Sequence, residues 1–178
     1  MTSFIDTHCH LDKLDSTPEE AIIEAKQAGV QRMVTVSVDE PSLDFVSSMV
    51  QQFPEVYGSV GLHPHDAAEL TEDLEQKIRK LALEEKKLIA IGETGLDYHY
   101  MYSSAEVQQQ VFSKQLQLAV ELNLPVIMHS REAEKDTLNI LQEIPVPPLG
   151  VAHSFTSSFE MAKTLIEMGW YIGINGIV

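Results

Sequence analysis

The sequence predicts an α/β fold built on a parallel sheet. Three observations carry that reading. Short apolar runs alternate strictly with longer amphipathic runs along the whole chain. The apolar runs are mostly continuous, as in parallel strands covered on both faces. Six of the seven histidines fall where an apolar run ends.

The predicted strands are 4–8, 33–38, 56–62, 88–92, 125–128, 149–152 and 170–174. Each is short, and most are bounded by glycine, proline or a polar turn. Helices fill the gaps. Thr17-Pro18-Glu19-Glu20 has capping-box spacing with proline at the first helical position, and the run stops near Gly29. A second helix is expected from Pro41 to about Gln52, ended by Pro54. Thr71 caps a third that reaches about Glu85. Ser103 and Glu106 have capping-box spacing ahead of a long fourth helix, with Val107, Val111, Leu118 and Leu122 on one face. A fifth runs from about Glu132 to Glu143. Ser157 and Glu160 open a sixth that ends at Gly169. No linker or composition break interrupts the pattern, so residues 1–178 are expected to form one domain.

Two architectures satisfy this order: an open doubly wound sheet and a TIM (β/α)8-type barrel. No glycine-rich phosphate loop follows the first strand, which weakens the nucleotide-binding form of the open sheet.

Composition bounds the function. Twelve Lys+Arg against 27 Asp+Glu leave a net charge of −15. Such a surface repels phosphate backbones and anionic membranes, so a passive DNA-coating or membrane-surface protein is not expected. A nuclease whose pocket carries metal cations stays open, because the cations reverse the local sign. The single cysteine, Cys9, allows no internal disulfide, and MTSFIDTHCH has no basic and apolar leader pattern. Together these predict a cytoplasmic setting.

The chemistry gathers at strand ends. His8 and His10 close the first strand, two residues apart and on one face, with Cys9 turned away into packing. Two imidazoles so placed can grip one ion. Glu93 ends the apolar run LIAIGE, and a buried carboxylate needs a partner or a metal. His129 and His153 end the fifth and sixth strands. In a TIM barrel these ends share one mouth, where the active site is built. The candidate metal ligands are therefore His8, His10, Glu93, His129 and His153. His63, before Pro64, and Arg131, whose fork suits phosphate, are candidate substrate contacts. Asp97 is either a hydrogen-bond partner for a histidine or a loop acid. Asp6 shares parity with His8 and is expected to point inward in support of it. His65 and His99 read as surface loop residues.

With these residues assembled, the sequence resembles the TatD-like metal-dependent hydrolases of the amidohydrolase superfamily. The motifs DTHCHLD, GLHPH, IGETGLDY, MHSRE, AHSF and GWYIGINGIV follow in family order from Ile5 to Val178. The resemblance implies a TIM barrel with a divalent metal centre at its mouth. It implies that His8 and His10 hold one ion, that Glu93 bridges and serves catalysis, and that His129 and His153 hold the second. His63 and Arg131 would face the scissile phosphate.

The implied activity is deoxyribonuclease or phosphodiesterase chemistry on nucleic acid or another phosphodiester, with water activated by two ions of Zn, Mn, Ni or Mg. Ester or amide hydrolysis at the same ions, as in D-aminoacyl-tRNA deacylases, is the alternative. An inactive metal-binding relative is a further one. Family members also carry an aspartate in a T-D-x-P-Y type motif on strand eight, and no such motif occurs here. Barrels of this kind take about 250 residues. The expectation is a barrel truncated after strand seven, with exposed edges at strands one and seven that favour self-association.

Overall fold

The computed structural model describes residues 3–176; Ile177 and Val178, which end the closing motif, lie outside them, as do Met1 and Thr2. Among the described residues, seven parallel strands form one sheet in sequence order: β1 (Phe4–Cys9), β2 (Val30–Val36), β3 (Val56–Val60), β4 (Leu88–Asp97), β5 (Val126–Arg131), β6 (Gly150–Ala152) and β7 (Tyr171–Ile172). Six helices connect them: α1 (Pro18–Gln27), α2 (Glu40–Gln52), α3 (Glu72–Glu84), α4 (Ala105–Leu122), α5 (Glu134–Glu143) and α6 (Phe159–Glu167). The sheet curls as a TIM-type barrel wall. His8 of β1 reaches across the interior to stack on His153 after β6, with ring centroids 3.3 Å apart.

Helix starts follow local chemistry. The Thr17/Glu20 capping box forms as the sequence predicts. Asp39 and Ser42 make a second reciprocal box that starts α2 at Glu40, one residue ahead of the expected Pro41. Two expected caps are displaced by one residue. Ser104, not Ser103, caps α4, because the Ser103 hydroxyl is engaged by the loop: it donates to the His65 carbonyl (2.9 Å) and accepts from the Ala68 N–H (3.1 Å). Ser158, not Ser157, caps α6. Helix α5 starts at Glu134 rather than Glu132, because Glu132 takes a left-handed backbone (φ 54°).

The apolar side chains fall into two groups. A large core lies between the sheet and the helices and includes Met33, Leu43, Ile91, Phe112, Leu116 and Met128. A small cluster of Val34, Val36, Ala90 and Ile127, with Tyr57 and Val151 packed on it, fills the barrel interior. Residues of these two groups alternate along β2 and β5, as strand geometry requires.

Two strands break that alternation. On β4, Ile91 pairs with Val126 and Thr94 with Met128, three steps against two. On β1, Asp6 pairs with Met33 and Cys9 with Thr35, again three against two. Each is a bulge that reverses the parity of the residues beyond it. Ala90 faces the interior, yet so do Glu93 and Asp97, an odd number of residues further on. The expectation that β4 ends at Gly92 is corrected accordingly: the strand continues through the bulge to Asp97. The same geometry corrects Asp6. It lies on the Met33 side with Cys9, is exposed, and accepts a hydrogen bond from the backbone N–H of His8 (3.0 Å).

Glycines make the β4 irregularity possible. Gly92 and Gly95 have φ of +146° and +142°. A Cβ at Gly95 would sit 1.9 Å from the His129 carbonyl oxygen, and one at Gly92 would sit 2.5 Å from that of Ile127. Only a residue without a side chain lets β4 approach β5 this closely. We expect Gly95→Ala to destabilise the fold by about 3 kcal/mol or more, read as a loss of cooperative urea unfolding. A variant with wild-type stability would contradict so close an approach of β4 to β5.

Candidate metal centre

The interior widens at the carboxyl ends of the strands into a cavity of about 630 Å³. His10, His63, Glu93, His129, His153 and Arg131 are among the residues lining it. Arg131 is the one Lys or Arg in that lining. Backbone hydrogen bonds anchor the site from below. The Glu93 N–H donates to the Ser37 carbonyl (2.9 Å), the His63 N–H to Val38 (2.8 Å) and the His153 N–H to Met128 (2.8 Å).

Glu93 is the centre of the arrangement. It is 4% exposed, and among the described residues its carboxylate pairs only with imidazoles. Its Oε2 lies 3.4 Å from His8 Nε2 and 3.9 Å from His10 Nε2. Its Oε1 lies 3.3 Å from His129 Nδ1 and 3.9 Å from His63 Nε2. Burial alone would raise its carboxyl pKa, but the contacts of His129 and His8 hold it well below the usual carboxylate range.

Two sets of three donors converge here: His8, His10 and Glu93, and His63, Glu93 and His129, with donor atoms within 4.8 Å of one another in each. Hydrogen bonding decides what each imidazole can offer. His10 Nδ1 lies 3.2 Å from the Val36 carbonyl and donates to it, which leaves its Nε2 a lone pair. That atom is 3.1 Å from His8 Nε2. His129 Nε2 donates to Asp97 (2.9 Å), so in the neutral ring Nδ1 presents a lone pair to Glu93. His10 Nε2 offers a lone pair beside the charged Glu93, and His129 Nδ1 does so when its ring is neutral, so the first set and the Glu93–His129 pair fit a divalent metal.

His63 differs. Its Nδ1 accepts the His65 N–H (3.2 Å), so the ring proton sits on Nε2 and points toward Glu93 as a donor. His153 lies outside both sets of three; its ring is stacked on His8 at the cavity wall.

Burial pushes the His63 imidazole down to about 3, against the pull of Glu93. It lowers His153 to about 4 and also lowers His10, with His8 adding to both. These three rings are therefore neutral at pH 7. His129 goes the other way: burial opposes its charge, but Glu93 and Asp97 outweigh burial and raise it. Cys9 is turned out of the site, donates to the Val34 carbonyl (3.4 Å), and burial pushes its thiol up to about 12.

Asp97 is a hydrogen-bond partner and not a free loop acid. Its Oδ2 accepts from His129 and from His65 (3.1 Å), and its Oδ1 accepts the backbone N–H groups of His99 and Tyr100 (3.0 Å each). His65, expected to be a surface residue, is half-buried for this reason. His99 is the exposed residue the sequence predicts and pairs with Glu132.

The sequence reading passed over two glutamines on the buried face of α4, seven residues apart. The Gln115 amide accepts from the Leu62 N–H (2.8 Å) and donates to the Leu62 carbonyl (2.9 Å) and the Thr94 hydroxyl (2.7 Å). It ties the end of β3, next to His63, to β4, next to Glu93. Gln108 accepts from the Asp97 N–H (2.8 Å) and donates to the carbonyls of Asp97 (3.0 Å) and Ser103 (2.8 Å). A long amide amid a run of buried apolar positions was the available signal.

Comparison with known proteins agrees with this geometry. The profile of the TatD related DNase family matches residues 5–178. The chain belongs to this family. The metal-dependent hydrolase YabD of Bacillus subtilis is 39% identical over 176 residues, covering 97% of this chain and 69% of YabD. YcfH of Escherichia coli K12, also named a metal-dependent hydrolase, is 38% identical over 180 residues, covering 98% of this chain and 67% of YcfH. The crystal structure of the TatD homologue YjjV from the same strain superposes with a TM-score of 0.89 at 29% identity, covering 98% of this chain and 68% of that one.

Replacing Gln115 by leucine, close in size but apolar, strips two backbone groups and a hydroxyl of their partners. At about 1–3 kcal/mol for each buried unsatisfied group, we expect a loss of at least about 3 kcal/mol. Urea denaturation of the Gln115→Leu variant measures it. A loss under about 1 kcal/mol would mean that the loops satisfy themselves without α4.

Proposed function

We propose that this member of a metal-dependent hydrolase family cleaves phosphodiesters, with nucleic acid as the substrate class. The observation that carries the reading is the buried Glu93 carboxylate, flanked by imidazole nitrogens on both oxygens and open to a cavity whose basic side chain is Arg131. His8, His10 and Glu93 would hold one divalent ion. Glu93, His129 and His153 would hold a second. When bound, such ions lower the pKa of a coordinated water and neutralise charge on the attacked group.

The chain's own residues then have distinct tasks. Glu93 keeps its charge without a proton and so remains a ligand across the neutral range. Asp97 holds the His129 ring so that Nδ1 faces inward. His63 offers an N–H from a ring too buried to become charged, which suits it to hydrogen-bond a phosphate oxygen as charge develops there. Arg131 supplies the fixed positive charge. Its guanidinium lies over the Tyr100 ring, 5.0 Å from the centroid, and no ion pair of Arg131 is found among the described residues.

The test is hydrolysis of a DNA oligonucleotide and of bis-p-nitrophenyl phosphate by chelated protein reloaded with Zn, Mn, Ni or Mg, with metal content measured in parallel. Chelation is expected to abolish turnover and reloading to restore it. Glu93→Gln is expected to lose both bound metal and turnover. His63→Ala is expected to keep the wild-type metal content while losing about 10²–10³-fold in kcat. Loss of metal in His63→Ala would make His63 a ligand instead. Cleavage of aminoacyl esters with no phosphodiester turnover would overturn the reading.

A further inference from the structure

The segment after β4, Asp97-Tyr98-His99-Tyr100-Met101-Tyr102, carries three tyrosines, and only one has a structural task. Tyr98 is half-buried against the core and donates its hydroxyl to Asp136 (2.9 Å). Tyr100 and Tyr102 are 48% and 70% exposed. Their rings lie nearly parallel, 15° apart, with centroids separated by 5.6 Å. His65 meets both edge-on, at 4.8 Å from Tyr102 and 5.4 Å from Tyr100. Large aromatic rings held out toward solvent beside a polar cavity call for an explanation that packing does not supply.

The shelf is held in place. Asp97 accepts the N–H groups of His99 and Tyr100, and Gln108 bridges the two ends of the loop by bonding both Asp97 and Ser103. It also adjoins the site. His65 lies between Tyr102 and His129, 6.4 Å from the latter ring, and Arg131 of the cavity lies against Tyr100.

We propose that Tyr100 and Tyr102 form a stacking shelf for a nucleobase of the substrate, so that a nucleotide is gripped by its base as well as by its phosphate. The proposal rests on the phosphodiester reading above. Charge favours this occupant. With a net charge of −15 the surface as a whole repels a polyanion, and affinity cannot come from a basic track. Stacking on an aromatic face is indifferent to that field and tolerates any base, since every base has a π-face. With the phosphate at Arg131 and His63, the base would lie one ring beyond the candidate ligands, over Tyr102.

Two measurements test the shelf. The first is fluorescence titration of a trinucleotide containing 2-aminopurine against protein kept in chelator. The second is KM and kcat of the metal-loaded protein on a short oligonucleotide and on the same oligonucleotide with one abasic residue beside the cleaved bond. We expect the fluorescence to be quenched on binding. Tyr102→Ala should raise both Kd and KM about 10-fold or more, the loss expected for one stacked base, and should raise KM more than it lowers kcat. Tyr102→Phe should stay within about 2-fold of wild type. The abasic substrate should cost wild type the same factor and cost Tyr102→Ala little more.

An abasic substitution without effect on wild-type KM and Kd, or Tyr102→Ala without effect on either, overturns the proposal. The 70% exposure of Tyr102 means that truncating it leaves the core intact. Failure of the underlying reading looks different: no phosphodiester is cleaved with any metal, while Tyr102-dependent quenching in chelator still supports the shelf.

Discussion

A carboxylate buried inside a barrel among imidazole rings is the constraint on which the rest of the molecule depends. A charge so placed is costly unless something positive meets it, and among the described residues no lysine or arginine lies within ion-pairing reach of Glu93. The neighbouring structure answers that cost. A bulge aims the side chain inward, Gly92 permits the bulge, Ser37 holds the backbone N–H, and imidazoles from β1, β5 and the loop after β3 surround the oxygens. Folding thus produces a site with a strong affinity for positive charge, while burial keeps His10 and His63 short of protons.

Helix α4 serves the site at one remove. Its buried face carries Phe112 and Leu116 as ordinary core, but Gln108 and Gln115 in the same rows bond main-chain groups at the ends of β3 and β4. Strand ends are where backbone groups lose their sheet partners. An amide offers a donor and an acceptor together and can satisfy both. Asp97 extends the frame to two functions: one carboxylate oxygen orients His129 and His65, and the other secures the tyrosine loop.

Much of this was legible in the sequence because it is written in local chemistry. Capping signals, proline positions and continuous apolar runs locate the helices and strands to within a few residues, the end of β4 excepted, and the strand ends bring His8, His10, Glu93, His129 and His153 to one mouth. What was not legible depends on partners distant in sequence. Strict alternation puts Asp6 beside His8, and only the register against β2 reveals the extra residue that turns it away. Ser103 looked like a cap because nothing local shows that the carbonyl of His65 already claims its hydroxyl. The donor role of His63 follows from a single N–H two residues on, which fixes the ring's tautomer, and no residue pattern encodes a tautomer.

The bulge in β4 has one more consequence, for how this site tolerates change. Strand alternation has only two phases, and one surplus residue selects the phase in which Glu93 and Asp97 both look inward. Substituting residues can weaken the carboxylate, the imidazoles or the glycines one at a time. It cannot shift that phase. With every residue present but β4 paired regularly against β5, both acids would turn out toward the helices. Through this stretch of chain, register is as binding a requirement as chemistry.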